Sequence, residues 1–189
     1  MVAISPESQE VIDFLNSWFI SNESRSPVDR LDEWVSSTQG RNFTPTFDDQ
    51  QIIDARRARA AIRSLIEGEG DFFSDFLSSR GANWVVDREG IRVVLLGEQV
   101  VINRLLELTI HLVNDGQVRR IKSCADCRWI FFDASRNNSR VWCAMDAAPG
   151  RRGCGSIAKS RRYRQRHQDF AEEAKSPNDP RRTETPHAS

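Results

Sequence analysis

The residues best suited to do chemistry are Cys124, Cys127, Cys143 and Cys154; the chain has no other cysteine. A C-x2-C pair turns two thiolates toward one point, and intervals of fifteen residues to Cys143 and ten to Cys154 complete a set of four. Four soft thiolates make the closed tetrahedral arrangement of one structural Zn2+, with no open position for water. The expected chemistry is therefore architectural. The alternative, four unrelated core cysteines, must explain why all four fall between residues 124 and 154. The ten-residue loop Ala144–Gly153 is longer than an ordinary second knuckle, which makes His167 the substitute ligand to watch.

Two elements must position these sulfurs. Arg128–Asp133 and Arg140–Cys143 flank an Asn- and Ser-rich turn, a pattern that predicts a β-hairpin carrying Cys143 back beside the first pair. Residues 155–168 lack proline and predict a helix, with Ser156, Ser160, Tyr163, His167 and Phe170 spaced 4, 3, 4, 3 as its inward face. Lys159, Arg161, Arg162, Arg164 and Arg166 would then face outward. A zinc-stapled hairpin followed by a basic helix is too small to fold without its metal.

The charges agree with this division. The chain is formally neutral. Residues 1–117 carry 11 arginines and 19 acidic side chains, a balance of −8, whereas residues 118–168 carry 13 basic and 3 acidic ones, a balance of +10. A module of that charge attracts polyanions, and double-stranded DNA is the expected partner. Arg136, Asn137 and Arg140 at the hairpin turn join the helix cations as candidate nucleic-acid contacts, since Arg and Asn can read base edges. The alternative is an interaction module that docks an acidic protein of the transcription machinery.

The chain before residue 118 predicts a mainly helical domain with one small hairpin, giving an α+β fold overall. Ser5-Pro6 and Ser26-Pro27 each read as a helix start, the first helix burying Val11, Phe14, Leu15, Trp18 and Phe19. A third helix begins at Thr46, Asp48 and Asp49 and presents Ile52, Ala55, Ala58, Ile62 and Leu65 inward, until Gly68 stops it. After a short helix over 71–80, Trp84–Val86 and Ile91–Leu96 predict a hairpin, and Val101–Val113 a doubly striped, well-buried helix closed by Asn114-Asp115-Gly116. Arg56, Arg59 and Arg63 share one face of the third helix. They read as a solvated stripe paired with carboxylates, or as an anion-binding surface for a small effector. No glycine-rich phosphate loop, nucleophile elbow or metal-binding His pair occurs, so no enzyme is expected.

Cys124-x2-Cys127-Arg-Trp-Ile-Phe-Phe-Asp133, Ser135-Arg136-Asn137, Ser139-Arg140-x-Trp142-Cys143-x-Met145 and Cys154-Gly155 together resemble the CGNR zinc-finger family. The resemblance implies a helical ABATE domain over residues 1–117, whose usual opening Asp13-Phe14-Leu15-Asn16-Ser17 matches. It implies a finger over 118–170 that binds DNA, in stress-linked bacterial transcription regulators. The chain departs from the pattern where Cys-Gly-Asn-Arg would stand, reading Cys154-Gly155-Ser156-Ile157, and in about six extra residues before it. A homodimer would suit paired half-sites. Residues 171–189, with three prolines, read as a disordered tail. No apolar run exceeds four residues and no secretory signal is visible, so a cytoplasmic, nucleoid-associated location is expected.

Overall fold

Ser5 accepts a hydrogen bond from the Ser8 N–H at 3.1 Å, and Pro6 occupies the first turn, which starts helix α1 (Pro6–Leu15). In this computed structural model, residues 3–39, 47–88, 90–97, 99–144 and 153–173 are described. They divide into two compact units, Met1–Cys143 and Ala144–Ser189. Val11, Phe14 and Leu15 of α1 are buried as the spacing requires. The stripe does not continue through Trp18 and Phe19. Trp18–Ile20 is strand β1, paired antiparallel with β2 (Pro27–Asp29), Trp18 opposite Asp29 and Ile20 opposite Pro27. Aromatic and β-branched side chains suit a strand, and a proline is tolerated at a strand's first residue. Ser26-Pro27 is thus no helix start. Helix α2 (Leu31–Gln39) begins where the Asp29 carboxylate accepts the Leu31 N–H at 3.1 Å.

Helix α3 (Asp49–Glu67) opens on a reciprocal cap between Asp48 and Gln51, and Gly68, at φ 94°, ends it in the left-handed conformation glycine tolerates. The expected start at Thr46 lies outside the described residues. Ala55, Ala58 and Ile62 are fully buried, with Ile52 and Leu65 packed at the margin of the core. Helix α4 (Gly70–Ser78) buries Phe73, and β3 (Ala82–Asp87) pairs antiparallel with β4 (Gly90–Leu95) as the sequence predicts. Helix α5 (Val100–Asn114) buries Val101, Ile102, Leu105, Leu106 and Leu112, and packs on α1, α3 and β4. Val113 stays exposed.

Gly116, at φ 68°, turns the chain into a 3-10 segment, Gln117–Arg120, and on into β5 (Ile121–Ser123). β5 pairs antiparallel with β6 (Ile130–Phe132), Ile121 opposite Phe132. Ile121 and Ile130 are about as buried as Phe14, Ile62 and Leu106, in one core with them. Each such side chain contributes on the order of 1.5–3 kcal/mol on burial. The first compact unit therefore runs past the expected boundary at residue 117, because β5 packs on α3 and β6 on α1. In the second unit the described element is α6 (Cys154–Glu173). It includes the first three residues of the expected tail, and the rest of that tail lies outside the described residues. Among the described residues no helix is long and apolar enough to cross a membrane.

Candidate metal centre

The first two thiols sit on the turn joining β5 to β6. The Cys124 N–H donates to the Trp129 carbonyl at 2.9 Å and the Arg128 N–H to the Cys124 carbonyl at 3.0 Å, closing a tight knuckle. Arg128 takes φ 60° to do so, a left-handed conformation uncommon for a residue with a side chain. Three ties fix the knuckle to the helical unit. The Ile20 N–H donates to the Cys127 carbonyl at 2.8 Å, Arg25 pairs with the buried Asp126 carboxylate at 3.1 Å, and the Arg63 guanidinium donates to the Arg128 carbonyl. A fourth tie holds the adjoining strand: the Asn16 side chain accepts the Ile130 N–H at 2.8 Å and donates to the Ile130 carbonyl at 2.9 Å.

The hairpin differs from the expected one. The partner of 130–132 is 121–123, upstream, and Arg140–Cys143 forms no strand. Cys143 nevertheless returns beside the pair, brought there by Asp133. That carboxylate, wholly buried, takes the Lys122 ammonium at 2.9 Å, the Ser135 N–H at 2.9 Å and the Arg140 N–H at 2.8 Å. Burial alone would raise its pKa, but Lys122 and these donors hold it well below the ordinary 3.8. Lys122 also donates to the Asn138 carbonyl at 2.6 Å. Side chains thus do what a strand ladder would have done, and one backbone bond, Ala125 N–H to the Val141 carbonyl at 3.2 Å, completes the return.

Cys154, the first residue of α6, supplies the fourth thiol. The four sulfurs lie within 4.8 Å of one another, Cys127 and Cys143 at 3.6 Å. Four ligands at a Zn–S distance of about 2.3 Å on a tetrahedron sit roughly 3.8 Å apart, so the donor set fits the ion. Cys124, Cys127 and Cys154 are buried and Cys143 half-buried, which leaves the site closed. The thiols cannot all ionise among themselves. Hydrogen bonds from Cys127, and then Cys143, hold the Cys124 thiol far down, and its thiolate pushes Cys127 up to about 12 and Cys143 higher still. Only a cation at their centre lets all four ligate as thiolates. These residues form one zinc site, and Cys154 reaches it without His167, whose ring lies tilted against that of Tyr163 with centroids 4.2 Å apart.

The other expected site residues fall into three groups. Lys159, Arg161, Arg162, Arg164 and Arg166 are all exposed on α6. The expected inward face of that helix is not found: Ser156, Ser160, Tyr163 and His167 are exposed too, Phe170's side chain lies outside the described residues, and burial is confined to Gly153, Cys154, Gly155 and Ala158, with Ile157 half-buried. Between Lys159 and Gln168 the helix has no aliphatic residue to bury. Arg136 and Asn137 are exposed in the turn after Asp133. Arg140 instead braces the ligand loop, its guanidinium donating to the Cys143 carbonyl at 2.8 Å and lying over the Phe131 ring at 5.2 Å.

Of the α3 arginines, Arg56 is exposed, but Arg59 and Arg63 are buried at 5% and 7% exposure and form no solvated stripe. Arg59 forks onto Asp29 at 2.9 and 2.7 Å. The residues that sequence reasoning missed are Asn16, Lys122, Asp126 and Asp133: Asp126 pins the knuckle, Asn16 the adjoining strand, and Lys122 and Asp133 the segment that returns Cys143. The one available signal was that Asp126 and Asp133 are acidic residues inside a strongly basic module.

The CGNR zinc finger family model matches residues 120–167, a span holding all four cysteines and the cationic part of α6. No curated protein and no solved structure matches the chain.

Proposed function

We propose that the protein is a DNA-binding transcription regulator whose zinc centre sets the start of α6 and whose α6 meets the duplex. The observation that carries this reading is the cationic surface of α6. Between Lys159 and Arg166 there are five basic side chains, all exposed, and no acid. At 100° per residue they spread around most of the helix, over a length of about 12 Å. A helix of that kind can lie in the major groove and meet phosphates on both walls. Its first residue is a metal ligand, so zinc fixes where it begins. Arg136 and Asn137, exposed on the turn, are the further candidates for contact. The opening Asp13–Ser17 supports reading the helical part as ABATE-like.

The test is fluorescence anisotropy of a labelled duplex across a salt series. Five phosphate contacts give a log-log slope of about −4.5, or roughly a 500-fold loss between 50 and 200 mM salt. Arg162→Ala with Arg166→Ala should flatten that slope by about two contacts. A flat salt response, or unchanged binding by the double variant, would refute the reading. Binding neither duplex nor single-stranded RNA would favour an acidic protein partner instead.

A further inference from the structure

A cavity of about 250 Å³ opens on the face of α3 beside the knuckle, lined by Trp18, Arg56, Arg59, Arg63, Glu67 and Arg128. Four guanidiniums face one lining carboxylate. Asp29, which does not line the cavity, pairs with Arg59 and reaches Arg56 at 3.4 Å, and Glu67 pairs with Arg128. Counting both acids, two positive charges remain uncompensated. Arg63 is where the excess is sharpest. Among the described residues its guanidinium donates only to carbonyl oxygens, of Leu15 at 3.0 Å, Trp18 at 3.3 Å and Arg128, while it lies over the Trp18 ring at 4.7 Å. A buried charge without a counter-ion is costly. Burial draws this guanidinium down to about 10, Glu67 partly offsets that, and Arg128 and Arg59 add repulsion.

The layout resembles a cup. Arg59 and Arg63 form a fixed floor, while Arg56 and Arg128, with side chains 46% and 41% exposed, stand at the rim and can turn onto a ligand. Planar guanidinium forks match the oxygens of phosphate and carboxylate groups. The volume suits a small molecule. We propose that this pocket binds a small dianionic oxyanion of the phosphate class, and that occupancy is felt at the metal knuckle through Arg128, the residue after Cys127. The anion would supply the charge Arg63 lacks, and would couple α3 to the turn that holds two zinc ligands. On this proposal the α3 arginines would serve as the anion-binding effector surface, but as a pocket rather than an exposed stripe.

The test is calorimetry of the zinc-loaded protein with inorganic phosphate, sulfate and succinate in separate arms, at constant ionic strength balanced with chloride. One saturable site per chain is expected, with phosphate or sulfate above succinate. Arg56→Gln removes a rim charge whose partner Asp29 keeps Arg59, and Arg128→Gly removes the other while suiting φ 60°. Each should weaken binding about tenfold or more. Arg162→Ala with Arg166→Ala on α6 should leave it unchanged, which separates this site from failure or success of the DNA reading. Phosphate should also slow zinc transfer to a chromogenic chelator. No saturable binding, or binding that Arg56→Gln and Arg128→Gly leave intact, overturns the site; binding with an unaltered rate of zinc transfer overturns the coupling.

Discussion

Asp133→Ala removes the group that brings Cys143 home. The carboxylate is wholly buried, and three donors lose their acceptor with it: Lys122 Nζ at 2.9 Å, the Ser135 N–H at 2.9 Å and the Arg140 N–H at 2.8 Å. Breaking a buried ion pair by removing one partner costs about 3–5 kcal/mol. Lys122 keeps the Asn138 carbonyl at 2.6 Å, which places this case at the lower end, near ~3 kcal/mol. That is a large part of the roughly 5–15 kcal/mol that stabilises a domain. If about 2 kcal/mol of it falls on the loop holding Cys143, zinc affinity drops roughly 30-fold. Denaturant unfolding of the zinc-loaded protein, followed by tryptophan fluorescence, reads the first quantity, and competition with a chromogenic chelator the second. Asp133→Asn keeps an acceptor without the charge and should lose less on both. An Asp133→Ala variant with an unchanged midpoint and unchanged zinc affinity would refute the reasoning.

Three further outcomes follow from the same contacts. Asp133 and Asp29 have folded pKa values held below the ordinary 3.8, so their stabilisation is complete above about pH 4 and is lost as pH falls below it; an acid titration of unfolding free energy should show that loss, which Asp133→Asn should reduce. Asn16→Ala leaves the Ile130 N–H and carbonyl without their partners and should cost about 1–3 kcal/mol in thermal unfolding. Cys154→Ala leaves three thiols and an open position, and should retain zinc with markedly lower affinity in chelator competition while keeping the fold of residues 1–143 by circular dichroism.

What could be read from the sequence was whatever local spacing encodes. Helix α3 carries a cap, a stripe and a stop, and α5 a stripe and a stop, and both stand where they were expected. The four ligands were legible for the same reason, since thiols clustered in a short stretch have little else to explain them. Trp18–Ile20 was misread because a three-residue strand is too short to show a period of two, and its side chains happen to continue a helical stripe. The return of Cys143 was seen but its cause was not, because Asp133 acts through a buried carboxylate that no periodicity reveals. Arg59 and Arg63 defeat local reading too: their partners are Asp29 and the carbonyls of Leu15, Trp18 and Arg128, all far away in sequence. On α6 the side chains at helical spacing implied a buried face, although between Lys159 and Gln168 the one apolar ring, Tyr163, is exposed.

In the proposed function, one zinc and α6 act as a single DNA-binding device. Zinc titrated into metal-free, reduced protein, with the anisotropy of a labelled duplex as the readout, tests it most directly. The account predicts that the signal rises with zinc and saturates at one ion per chain. Equal binding with and without metal, or no binding once one zinc is held, would contradict it.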